Sequence, residues 1–380
     1  MEIIRLNATH YDALLSLLNT VFSRKNNREM DFEKEIPKMW VRDDVHMGCH
    51  FGIFENGSLV AAMGVYPFTV TVGPETLHFA TTGNIAVRPD CEGKGYMGAL
   101  MDRAMTELDR LGIDVARLGG LRSRYNRYGF DSCGQNYSFT FTEKNRTRKF
   151  PHFKGGISFQ RIAANDKETL AFASSLYNAN ALAVPRTPET AYVCMTMWQN
   201  VPFLATRNGT KIGYLCANAA KTAIAECNAI DTAALTDMIC AWQELTGTPL
   251  SFYRQAHQIE SIRVFSAVCE TSNCYAPSHF LIRNWEKTVD AFMKLKEGYA
   301  PLPTGELTVK IIGYGTLCLY KNETSAGCRL CDEIPNVTLE ALDAARYLFG
   351  PYPPFYTAEA TPTAQAFLPL PLSWNTLDRV

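Results

Sequence analysis

The chain has no apolar run approaching the roughly 20 residues that a membrane-spanning helix needs. Its first residues, Met1-Glu2-Ile3-Ile4-Arg5, lack the basic region and apolar core of a secretory signal. It also lacks an excess of either charge. Its 37 Lys and Arg nearly balance 38 Asp and Glu, for a formal net charge of -1, which argues against nucleic acid as a partner. One local basic cluster, Lys-Asn-Arg-Thr-Arg-Lys at residues 144–149, reads as a solvated linker. Cysteine is not scarce: there are 12, often inside apolar runs, as at Cys194, Cys216 and Cys240. Scattered buried thiols with no secretory signal predict a reduced, cytoplasmic protein. Cys328-Arg329-Leu330-Cys331 is a lone Cys-x-x-Cys, whereas a structural zinc site needs four ligands. No metal site is expected.

The most informative segment is Ile85-Ala86-Val87-Arg88-Pro89, followed by Asp90-Cys91-Glu92-Gly93-Lys94-Gly95-Tyr96-Met97-Gly98. Ile85, Ala86 and Val87 read as the end of a buried strand that Pro89 stops, since proline cannot donate to a ladder. Leu100, Met101, Ala104, Met105, Leu108 and Leu111 then recur at helical spacing. Strand, glycine-rich turn and helix start together make an anion site: unpaired amides and the helix dipole face the ligand, and glycine lets it come close. A pyrophosphate suits it. Lys94 is followed by Gly95 rather than Ser or Thr, so the Walker pattern is excluded. The spelling Gly93-x-Gly95-x-x-Gly98 matches the dinucleotide fingerprint. That fingerprint usually follows the first strand of a domain, however, and here about 80 residues come first.

The Val-x-Pro lead-in, glycine turn and Leu-Met-rich helix resemble the acetyl-CoA loop of the GNAT N-acetyltransferases. The chain departs from that pattern at Glu92, where the family prefers Arg or Gln, and at Met97, where it prefers Gly or Ala. Arg124-Tyr125-Asn126-Arg127-Tyr128-Gly129-Phe130 is similar to a signature of one GNAT subfamily, the enhanced intracellular survival (Eis)-like acetyltransferases. The resemblance implies a mixed α/β (α+β) chain: two tandem GNAT folds plus a C-terminal sterol-carrier-protein-like α+β domain. It also implies acetyl-CoA as co-substrate, Tyr125 as general acid, the carboxylate of Val380 as general base, and a homo-oligomer.

At 380 residues and 47 % hydrophobic content, two or three domains are expected. Block one, 1–150, would be the catalytic domain. It starts with a helix over residues 9–22 and strands at 50–54 and 59–67 joined by Asn56-Gly57, a strong hairpin signal. Strands near 69–72, 78–87 and 114–118 follow, and a strand at 137–141 closes the domain. Block two, 151–275, reads as a degenerate repeat: Asn208-Gly209 echoes Asn56-Gly57, while Glu226-Cys227-Asn228 stands where a glycine loop would be. Block three, 276–380, begins at His279 and ends in an apolar, aromatic tail, Pro369 to Val380, which should be docked rather than frayed.

The expected reaction is direct acetyl transfer to a primary amine on a small molecule or a lysine. Pyrophosphate would sit on Gly93, Lys94, Gly95, Tyr96, Met97 and Gly98. The pantetheine arm would lie along Ile85, Ala86 and Val87 as an added strand, with Gly120 and Leu121 on the far side. Asp31, Glu33 and Glu35 are candidates to line a pocket for a polyamine or aminoglycoside, or else form a solvated helix face. Two other readings stay open. One is a non-catalytic acyl-CoA sensor, favoured by Glu92. The other is an acyltransferase for longer acyl or aminoacyl groups.

Overall fold

The computed structural model describes residues 2–153 and 155–378. Val380 lies outside the described residues. Strands in chain order are β1 (Ile3–Arg5), β2 (His50–Glu55), β3 (Ser58–Val72), β4 (Glu75–Val87), β5 (Val115–Leu118), β6 (Asp131–Cys133), β7 (Asn136–Phe141), β8 (Ile157–Arg161), β9 (Leu182–Ala183), β10 (Val201–Arg207), β11 (Thr210–Ala217), β12 (Ala223–Ala229), β13 (Leu250–Gln255), β14 (Thr271–Tyr275) and β15 (Ser278–Ile282). A third group follows: β16 (Gly305–Ile311), β17 (Gly315–Lys321), β18 (Ala326–Cys331) and β19 (Val337–Leu339).

Three mixed sheets result, with helices packed between and around them. Sheet one has the order β1-β2-β3-β4-β5-β15-β6, with β9 paired to the far end of β3. Sheet two runs β14-β7-β13-β12-β11-β10-β8, and sheet three β18-β17-β16-β19. The apolar run from Leu59 to Tyr66 is buried continuously because helices cover both faces of β3 there. Both expected hairpins form. Asn56 and Gly57 take φ of 49° and 79°, and Asn208 and Gly209 take 50° and 81°. Two positive φ values in succession are what a two-residue turn between twisted strands demands.

Two expectations about strand placement are corrected. The strand expected to close sheet one, at 137–141, lies in sheet two between β13 and β14. Its place in sheet one is taken by β15, from the expected start of block three, which inserts between β5 and β6. The first two sheets thus exchange strands, which ties the blocks into one framework. The strands expected at 59–67 and 69–72 are one strand, β3; Pro67 does not break it.

The tail is docked. Trp374 belongs to the apolar core shared by sheets one and three. Leu377 belongs to the core between sheets one and two. Asn136 fixes the segment between them, donating to the Trp374 carbonyl at 2.8 Å and accepting from Ser373 Oγ at 2.6 Å. The Gln135 amide donates to the Leu372 carbonyl at 2.6 Å.

Candidate active site

The centre of sheet one is split. β4 and β5 run parallel and pair from Phe79–Val115 to Thr82–Leu118, where the pairing ends. β4 continues to Val87, still paired to β3 on its other side. Residues 83–87 therefore present ladder amides and carbonyls to the opening. Asn84, at φ 53°, marks the irregularity where the β3 register slips and β4 turns away. Ile85 and Val87 are half-buried along the gap, and Ala86 faces the core.

The opposite wall is formed by residues 119–125. Gly120, at φ 122°, turns the chain away from β5. His279 on β15 holds this turn: its Nε2 lies 2.8 Å from the Gly120 carbonyl and its Nδ1 2.8 Å from Ser132 Oγ. Ser278 Oγ donates to the Leu118 carbonyl at 3.0 Å. Leu121 is exposed at the rim. The Tyr125 ring packs on Gly120, where a Cβ would stand 3.0 Å from its Cε2. Tyr125 is buried; burial pushes its phenol pKa up, and Arg124 pulls against that.

The glycine turn sits where β4 ends. Gly95 precedes the helix Tyr96–Arg110 at φ 83°, a conformation strained for any residue with a Cβ. The first intrahelical bond is from the Ala99 amide to the Gly95 carbonyl, so the amides of Tyr96, Met97 and Gly98 lie in the unpaired first turn. A side chain at Gly93 or Gly95 would meet nothing within 4 Å, so the space over the turn is open. Lys94 turns to Glu55, at 3.0 Å, and not to the exposed Glu92. Arg127 donates to the Tyr128 hydroxyl, which lies beside Gly98. The glycine turn, the open edge of β4 and the wall at residues 120–125 thus lie together at the split of sheet one, with Ala86 turned into the core.

Behind β4 lies a polar relay with no sequence signature. Asn84 Nδ2 donates to the Tyr66 hydroxyl at 2.6 Å, and that hydroxyl lies 2.8 Å from His50 Nε2. His50 Nδ1 faces the Met47 carbonyl at 3.3 Å, so Nδ1 carries the proton and Nε2 accepts from Tyr66. Burial pushes the His50 pKa down to about 4, leaving the ring neutral.

Tyr66 is also a wall of a cavity of about 530 Å³. Pro37, Lys38 and Met39, the segment Val184-Pro185-Arg186, and Asp378 of the tail also line it. Asp378 is buried and doubly held, by Tyr177 Oη at 2.5 Å and by Arg186 Nη2 at 2.9 Å. Arg186 also grips both oxygens of Glu226 at 2.8 Å. Lys38 Nζ donates to the Leu377 carbonyl at 3.3 Å. Burial pushes the Lys38 pKa down, and the Asp378 carboxylate opposes it.

The acidic candidates are elsewhere. Glu33 accepts from Tyr11 at 2.5 Å, Glu35 is buried against Arg28 and Gln199, and Asp31 caps the helix Phe32–Glu35. None of them lines the cavity. Cys328 and Cys331, three apart on β18, point to opposite faces, so their thiols do not converge.

Residues 2–133 match the family model described as an acetyltransferase (GNAT) domain. Among solved structures, the chain is similar to Eis1 from Mycobacterium abscessus, with TM-score 0.66 and 14% identity over 99% of each chain. It is similar to a GCN5-related N-acetyltransferase from Anabaena variabilis, with TM-score 0.68 and 12% identity over 98% of each. A third likeness is to a GCN5-related N-acetyltransferase from Kribbella flavida, with TM-score 0.62 and 15% identity over 91% of this chain and 88% of the other. At such identities the likeness is one of fold. No curated protein matches the chain.

Proposed function

We propose that the protein is an N-acetyltransferase that moves the acetyl group of acetyl-CoA directly to a primary amine. The observation that carries this reading is the split in sheet one, with an unpaired β4 edge leading straight into an open glycine turn. Pyrophosphate would be held by the amides of residues 93–98. The pantetheine amides would pair with Ile85 to Val87 as a strand, and an amide of that edge would polarise the thioester carbonyl. Gly120 and Leu121 would close the far side.

Tyr125 would give a proton to the departing thiolate. Its buried phenol stays protonated at neutral pH and sits on the wall facing β4. Loss of general-acid help costs about 10²- to 10⁴-fold. The Val380 carboxylate would take the proton from the incoming ammonium. What supports this is the anchorage of Asp378 in the wall of the adjoining cavity. Two more residues reach at most about 7 Å.

Sheet two supports a degenerate second GNAT unit in the 151–275 block. β12 and β13 also pair in parallel and part after Ile224–Phe252, with a helix, Thr232–Thr246, between them. The remainder, 276–380, would be the sterol-carrier-like unit, less the strand β15 that it gives to sheet one.

The test is release of free CoA thiol from acetyl-CoA in the presence of amines. The full chain should turn over, Tyr125→Phe should keep a small residue of activity, and deletion of Val380 should remove most of it. Stoichiometric acetyl-CoA binding with no turnover on any amine would favour the sensor reading.

A further inference from the structure

We infer that the acceptor is a monoamine carried on an apolar body, an alkyl or aralkyl primary amine, and not a polycation. This rests on the acetyltransferase reading above and names the substrate class of the same site.

The cavity beside the cleft is the space through which an acceptor would reach the thioester. Tyr66 is its wall on one side, and on the other its hydroxyl is held by Asn84 in the open half of β4. Its walls are mostly apolar: Met39, Val45, Phe68, Val184 and Val193 face it from three separate segments. Val45 is 77 % exposed at the rim.

The carboxylates at the inner end already have partners. Asp378 and Glu226 are both engaged by Arg186, and Lys38, whose pKa burial pushes down, stands on the same wall. Glu189, also in the lining, is exposed. Among the described lining residues Asp378 is the one buried carboxylate, and Tyr177 and Arg186 already engage it. The reacting amine must shed its proton in any case, but every further ammonium of a polyamine or aminoglycoside would be pressed against apolar walls and the Arg186 guanidinium. A charge so placed is strongly disfavoured. An alkyl body gains instead, by about fourfold in kcat/KM per methylene buried.

The experiment pairs calorimetric titration of the full-length protein with acetyl-CoA and a turnover panel. The panel holds the primary n-alkylamines from propyl to hexyl, phenethylamine, spermidine and kanamycin. The expected result is acetyl-CoA binding, a rise of about fourfold per methylene along the alkyl series, and phenethylamine at least tenfold better in kcat/KM than spermidine or kanamycin. In Val184→Asp, kcat/KM for hexylamine should fall at least tenfold while the KM for acetyl-CoA stays unchanged. Acetyl-CoA binding with a preference for spermidine or kanamycin would overturn the inference and leave the acetyltransferase reading standing. Acetyl-CoA binding with no turnover of any alkylamine or aralkylamine would overturn it as well. Failure to bind acetyl-CoA would remove the reading itself, and the inference with it.

Discussion

The Arg186 guanidinium holds the Asp378 carboxylate at 2.9 Å, two positions before Val380. Both groups are buried, and Glu226 and Tyr177 complete the cluster. Arg186 belongs to the segment after β9, Glu226 to sheet two and Asp378 to the tail, so three distant parts of the chain meet at one charge cluster. Breaking one partner of such a cluster leaves an uncompensated buried charge. The tail is held in register by this cluster at one end and by Trp374 at the other.

Trp374 stacks on Phe79 of β4, with centroids 5.7 Å apart and planes 19° apart, and also contacts Phe68 and Phe280. Trp374→Ala is expected to destabilise the protein by about 3–5 kcal/mol, the usual range for a buried aromatic. Urea denaturation followed by circular dichroism checks this. A loss below about 1 kcal/mol would mean that the tail is not seated as described.

Acid should unfold the protein early. Burial pushes the pKa of His50 down to about 4 and that of His257 to about 3. In the unfolded chain each would titrate near 6.5. Between those limits the unfolded chain binds protons that the folded one does not. Stability is therefore full above pH 6.5 and falls with pH, at up to about 1.4 kcal/mol per unit for each histidine. Below about pH 4.5 Glu107 adds to the loss. Burial opposes its ionisation, but hydrogen bonds from Arg110 and Arg5 bring it down to about 2. Denaturation midpoints from pH 8 to pH 5 test this, and a flat profile would contradict it. His50→Gln should remove part of the slope.

His279→Ala should loosen the Gly119–Leu121 wall without touching the glycine turn. Its ring bridges Ser132 and the Gly120 carbonyl. The expected result is a several-fold weaker affinity for acetyl-CoA with little change in melting temperature. An unchanged affinity would show that β5 and its turn hold their shape unaided.

Tyr125→Phe should lower kcat by about 10²-fold or more and leave acetyl-CoA affinity unchanged. Because burial raises the Tyr125 pKa above its usual value of 10, activity should persist to alkaline pH. An alkaline limb below pH 9 that survives the substitution would assign that proton to another group.

The glycine turn was legible because strand end, turn and helix start are consecutive in the chain. Gly93 and Gly95 stand where φ is positive, and only such a run of glycines permits that close approach. The two Asn-Gly hairpins were legible for the same local reason. What could not be read was strand exchange. Alternation in Tyr137 to Phe141 marks a strand but not its sheet, and the pairing of β15 with β5 joins residues some 160 apart. Arg186 follows a proline in an unremarkable segment. It becomes a buried hub only through carboxylates 40 and 192 residues away. The acidic residues at 31–35, which the sequence left between a pocket lining and a solvated face, form neither as a set: Tyr11 and Gln199 reach Glu33 and Glu35 from other segments, and Arg28 and Lys34 engage Glu35 and Asp31 locally.

The central claim is that the cleft between β4 and β5 binds acetyl-CoA on the glycine turn. Isothermal titration of the full-length protein with acetyl-CoA, beside a folded Gly95→Glu variant, tests it most directly. Micromolar binding, one per chain, that the variant abolishes is the result this account predicts. No binding at millimolar acetyl-CoA, or equal binding by the variant, would contradict it.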